Sequence, residues 1–217
     1  MERLIGFFAP FFVPKLVQDD YLLREYIRSA EFARVRADGG DHAAVDAIFD
    51  EAKRLSWGNL YEALFLSLMA TMDHRRFGVK LPVVGALVWV PLTGEFPDEF
   101  EARIASLPRH LYEDSPTSQS GDRDKLQHFF GSALIAYVFE SRAAAERVGD
   151  FIEWGEDKVI VDGALDERDL RANQHGQEFG LSLLYDRNSR PSMFLRSVVV
   201  HADSLVPCGF HHLMEMR

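Results

Sequence analysis

One cysteine, Cys208, occurs in 217 residues. A lone thiol cannot close an intramolecular disulfide, and it excludes zinc or iron–sulfur centres built on several cysteines. Such scarcity fits a reducing compartment. The localisation expected is cytoplasmic, with association at a membrane surface as the variant. A metal site would have to be built from His, Asp, Glu and Asn, donors that suit hard or borderline divalent ions. Positive charge is also short. Lys and Arg number 24 against 34 Asp and Glu, for a net charge of −10. An acidic chain lacks the electrostatic footprint of a nucleic-acid binder. Long apolar runs are missing too. "LFLSLMATM" (64–72), "LPVVGALVWVPL" (81–92) and "FFGSALIAYVF" (129–139) all fall short of the roughly 18 residues of a spanning helix. They are expected as buried core elements, so no transmembrane segment is expected. No internal repeat or low-complexity tract is present.

The N-terminal "MERLIGFFAPFFVPKLV" carries the basic residue and apolar run of a signal peptide. Pro10 and Pro14 interrupt it, and no small-x-small cleavage site follows. The expectation is an apolar arm packed on the core. A peripheral contact with a membrane or a partner protein through residues 1–15 is the second reading.

What remains is the composition of a folded protein, with 47% apolar and 27% charged residues, long enough to bury a core without staples. The expected class is mainly α: a helical bundle with a small β-hairpin or extended segment near residues 79–93. Apolar spacing predicts a helix over 19–37, with Asp19 and Asp20 as caps and Gly39-Gly40 as its end. A second helix is expected over 41–55, and a third over 60–73 capped by Asn59. β-Branched residues and prolines mark 79–93 as extended, with Gly85 at a turn. Pro97 and Pro108 bracket a short helix over 96–108. The polar stretch 111–123 reads as a loop, either an ordinary connection or a lid. Helices are then expected over 123–140, 142–157 and 166–184. The organisation is thus a helical part with a short β segment (1–110), a loop (111–123), a three-helix part (124–190) and a tail of unread structure (191–217), together one compact domain.

The chemistry concentrates in "DKLQHFFGSALIAY" (124–137) and "DLRANQHGQEFG" (169–180). Asp124 and His128, four apart, share a helix face. An imidazole on so apolar a helix needs hydrogen bonds or a ligand. Asp169, Asn173, Gly176 and Gly180 also fall along one face. The two glycines, like Gly131 on the earlier helix, suit close helix packing, because an interior glycine otherwise costs about 0.5–1 kcal/mol relative to alanine. Glu153 on the intervening helix is a further carboxylate. His128, Glu153 and Asp169 are therefore the candidate catalytic residues. The same three with Asp124 are the candidate ligands of a divalent ion, and Asn173 and Lys125 would orient them. His175 is expected on a different side of its helix. The bland reading of each residue is a cap or a satisfied core group.

These residues resemble the signature of VanZ-like proteins and related bacterial families: an Asp-Lys-x-x-His start, a Glu on the next helix, then Asp-x-x-x-Asn-x-x-Gly-x-x-x-Gly. The matching positions are Asp124, Lys125, His128, Glu153, Asp169, Asn173, Gly176 and Gly180, within about 60 residues. The resemblance implies a polar cluster among helices. VanZ-like proteins are multi-pass membrane proteins, and this chain departs from them in having no full spanning segment. Two functions follow. One is a divalent-metal-binding or hydrolase-like site in which loop 111–123 gates access. The other is a non-enzymatic interaction or scaffold protein whose buried polar residues specify helix packing.

Overall fold

The computed structural model describes residues 14–80, 87–91, 93–118, 120–141 and 167–196. It is mainly helical. The described helices are α1 (Lys15–Arg28), α2 (Ala30–Leu55), α3 (Leu60–Thr71), α4 (Pro97–Ser106), α5 (Arg123–Phe139), α6 (Glu167–Ser182) and α7 (Pro191–Leu195). Two short strands, β1 (Arg76–Lys80) and β2 (Leu87–Pro91), pair antiparallel with Arg76 opposite Pro91 and Lys80 opposite Leu87. The expected turn at Gly85, the helix over 142–157 with Glu153, the arm over 1–13 and the tail beyond 196 lie outside the described residues.

The first helix break falls at Ser29, ten residues before the glycines. Ser29 is extended, and its Oγ accepts from the Phe32 amide at 3.1 Å, as an N-cap should. Helix α2 then runs through Gly39-Gly40 and bends there, because Gly40 takes φ 76 and ψ −174, a conformation that glycine alone adopts cheaply. Asp41, just past the bend, pairs with Arg36 at 2.5 Å. Its carboxylate also accepts from the Arg109 and His110 amides at 2.8 and 2.7 Å. Asn59 caps α3 as expected, accepting from the Glu62 amide at 3.4 Å. Pro97 opens α4, and Glu99 reaches back to the Phe96 amide at 3.0 Å.

Both halves of the chain share one core. Phe49 of α2 stacks on Phe130 of α5 and meets Phe179 of α6 edge-on, with centroids 6.5 and 5.0 Å apart. Phe129 stacks on Phe179 at 5.5 Å. Helix α7 joins this cluster through Phe194. Its start is held by Asp46 of α2, which accepts from the Ser192 amide at 2.8 Å and from its hydroxyl at 2.7 Å.

A buried charge network closes the opposite flank, and nothing in the motif reading pointed to it. Glu95 receives Arg24 at 2.9 Å, Arg28 at 2.6 Å and Arg103 at 2.9 Å. The arginines also serve the exit of α3. Arg24 donates to the Met69 carbonyl, and Arg103 donates to those of Ala70 and Met72, at 2.8–3.0 Å. Carbonyls at a helix end have no partners within the helix, so these side chains satisfy them and place positive charge where the helix dipole favours it. Burial alone would lift the Glu95 carboxyl. The hydrogen bonds and charges of Arg103 and Arg24 outweigh it and hold the group below the usual carboxylate range.

Candidate functional site

Among the described residues, helices α5 and α6 make the most intimate contact, and two glycines set its spacing. A Cβ on Gly176 would overlap the carbonyl oxygen of Phe129, and one on Gly180 would overlap that of Ala133. Backbone therefore meets backbone at two points one turn apart, which fixes the register of the pair. Gly131 is different: a Cβ there would lie 3.7 Å from Leu68 of α3, an ordinary contact. Among the described residues, the close backbone approach seen at Gly176 and Gly180 has no counterpart at Gly131.

That register brings the two predicted polar faces together. Asp169 Oδ1 lies 2.5 Å from Lys125 Nζ and 3.4 Å from His128 Nε2. Lys125 also reaches Asp124 Oδ2 at 2.7 Å. One turn further on, Ser132 donates to Asn173 Oδ1 at 2.9 Å. Asn173 thus binds Ser132, which the motif reading gave no role. Lys125 is the centre of the cluster rather than its support. Its side chain is 3% exposed, against 32% for His128 and 22% for Asp169. Burial disfavours the ammonium, but hydrogen bonds to Asp124 and Asp169 prevail and raise its pKa above the ordinary lysine value.

Among the described residues no three His, Cys, Asp or Glu side chains stand together as a metal site. The ammonium of Lys125 occupies the space between the two carboxylates, and it would repel a dication at close range. The described residues therefore do not by themselves make a metal centre. Glu153, the remaining proposed ligand, lies outside them.

A second His–Asp pair stands near the same end of α5. His74 Nδ1 is 2.6 Å from Asp73 Oδ1, just past α3. The hydrogen bond to Asp73 raises the His74 pKa against burial, and the Asp124 carboxylate adds to the rise. The signal available in the sequence was the dipeptide Asp73-His74, which carries no helical spacing to mark it.

The described residues of loop 111–122 are tied down. The buried Asp122 carboxylate contacts the Ser115 hydroxyl, accepts from the Leu111 amide at 3.4 Å and pairs with Arg168 of α6 at 3.0 Å. Arg171 pairs with Asp114 at 2.5 Å and lies over the Tyr112 ring. His175 faces this loop, away from the polar cluster, with its ring 5.7 Å from that of Tyr112. It is 1% exposed, and among the described residues neither ring nitrogen has a hydrogen-bond partner. Burial pushes its pKa below the ordinary histidine value. Arg171 reinforces the shift and Glu178 opposes it.

No protein family, curated protein or solved structure matches the chain. The likeness to VanZ-like proteins rests on the motif residues alone. Among the described residues no helix is long and apolar enough to cross a membrane.

Proposed function

We propose that the α5–α6 cluster is a general acid/base site of hydrolase type, with His128 as the proton-transferring group. The observation that carries this reading is the position of the imidazole. Its Nε2 faces Asp169 at 3.4 Å while a third of the side chain stays open to solvent. With Nε2–H directed at the carboxylate, Nδ1 is left to take a proton from water or a substrate hydroxyl, the geometry that activates a weak nucleophile. A contact of 3.4 Å is long for a hydrogen bond, and such contacts shorten in substrate complexes. Asp169 sets the tautomer and steadies the imidazolium. Lys125 pairs with Asp169 and fixes its place, and the glycine register holds the two helices to the tolerance such chemistry needs. A divalent-ion version would draw on Asp124, His128, Asp169 and Glu153, and Lys125 would have to withdraw from the carboxylates.

The test is a panel of chromogenic carboxylic and phosphoric esters, with bound metal measured by mass spectrometry on the same samples. Turnover above background should fall about 100-fold or more in His128→Ala, with little change in thermal stability. No turnover, or equal turnover in the variant, would end the acid/base reading. Stoichiometric metal lost in both His128→Ala and Asp169→Ala would establish the metal version.

A specific observation favours the packing alternative, in which the same residues specify how α5 meets α6. Lys125 is almost fully buried between two carboxylates, and breaking such a pair from one side costs about 3–5 kcal/mol. If packing is the whole role, Asp169→Asn loses stability on that scale and no activity is there to lose.

A further inference from the structure

We propose that segment 111–118 is a pH-operated latch on α6, closed while the buried ring of His175 is neutral and released when that ring takes up a proton. Two ties hold the segment. Asp114 pairs with Arg171 of α6 at 2.5 Å, and Arg171 lies 4.7 Å over the Tyr112 ring. Asp122, itself paired with Arg168 of α6 at 3.0 Å, accepts from the Leu111 amide and contacts the Ser115 hydroxyl. Beneath these ties the Tyr112 ring meets His175, centroid to centroid at 5.7 Å. The segment thus closes over an imidazole that, among the described residues, no side chain or carbonyl bonds.

The charges around the ring decide what a proton does there. On α6, Arg171 stands one turn before His175 and Glu178 stands nearly one turn after it. Glu178 accepts from Gln174 at 3.3 Å and makes no bond to either ring nitrogen. On the segment, Glu113 is exposed and Asp114 is taken by Arg171. Tyr112 stays neutral, because burial pushes its hydroxyl far up. Helix α5 turns Lys125 and His128 to Asp169, on another face of α6, and α7 carries no ionisable side chain. An imidazolium under the closed segment is therefore a buried charge with a guanidinium nearby and no acceptor bonded to it, which is costly. With the segment released, the same ring meets water and its charge is solvated. The lowered pKa of His175 has the same sign. The closed form is favoured above about pH 6.5 and loses about a factor of ten per pH unit below it. Asp114 does not compete in this range, since the hydrogen bond from Arg171 holds its carboxyl below the usual carboxylate range. Opening frees Arg171, two residues beyond Asp169, so acidity reaches the first turns of α6 whether or not the cluster there is catalytic.

Amide hydrogen exchange of the full chain, followed by NMR at pH 8 and pH 5.5 and corrected for the intrinsic exchange rate, tests the latch. The probes are the hydrogen-bonded amides of Leu111, Tyr112 and Ser115, with those of the buried Ile48 and Phe49 reporting global unfolding. Protection in the segment should lie below that of the core at both pH values and drop about tenfold at pH 5.5. The drop should vanish in His175→Phe, and equally in His175→Gln, which serves should the phenylalanine variant not fold. It should persist in His42→Gln/His110→Gln, which removes the two histidines bonded to Leu111 and Asp41 at the start of the segment. Protection equal to that of the core would mean that the segment opens only with the whole molecule, and would overturn the proposal. So would a wild type without the drop, a drop that survives the His175 substitutions, or one that the His42→Gln/His110→Gln pair abolishes.

Discussion

A methyl group added at Gly176 or Gly180 would have to displace a carbonyl oxygen of α5, because backbone is what lies opposite. Neither helix can give way without loosening Phe129 and Phe179, whose rings stack across the same interface. Gly176→Ala is therefore expected to cost about 2–3 kcal/mol, read as a lower urea midpoint. Gly131→Ala should do the opposite. Among the described residues its new methyl meets Leu68 alone, at ordinary distance, and alanine is worth about 1 kcal/mol over glycine in a helix interior. Gly131 and the Gly176–Gly180 pair looked alike in the sequence, since spacing reveals a shared face but not what stands opposite. His175 makes a separate prediction at this scale. Its folded pKa lies below the ordinary value, so the unfolded chain takes up a proton first as the pH drops. Stability should be full above about pH 6.5 and decline below it, by at most about 1.4 kcal/mol per pH unit. In His175→Phe that dependence should largely vanish from urea midpoints compared at pH 8 and pH 5.5.

Helices were legible where capping chemistry and apolar spacing agreed. Asn59 and Pro97 announce α3 and α4, and the charged start of "DKLQHFF" announces α5. The break between α1 and α2 was misplaced because a glycine pair is the stronger local signal. Ser29 ends the helix by capping, while Gly40 only bends it. The meeting of His128 with Asp169 could not be read in advance, since the rotation of one helix against another is decided by what both bury. Nor could the Glu95 network, whose members are spread from Arg24 to Arg103. Its role belongs to the level of the element. Glu95→Ala removes the carboxylate that Arg24, Arg28 and Arg103 share beside the exit of α3, although Arg24 retains Asp20, and the expected cost is about 3–5 kcal/mol by chemical denaturation. Glu95 keeps its charge to lower pH when folded. Its contribution is thus complete above about pH 4.5 and is lost as the pH falls through the folded value.

For the molecule as a whole, the sequence announced an acidic, mainly helical protein. It gave no hint that its N-terminal and C-terminal helices would share one cluster of phenylalanines, because contacts between distant segments leave no periodic trace. Phe49 touching Phe130 and Phe179 makes the described helices cooperative. A single unfolding transition is expected, with fluorescence and circular dichroism superimposing across a urea titration. The hold of Asp46 on Ser192 spans 146 residues. At about 5–20 residues per second, a ribosome needs roughly 7–30 s to produce the second after the first. Helix α2 thus leaves the exit tunnel with Asp46 unclaimed and its aromatic face uncovered, and it waits in that state until α5, α6 and finally α7 arrive. The nascent chain is most in need of a chaperone during that interval.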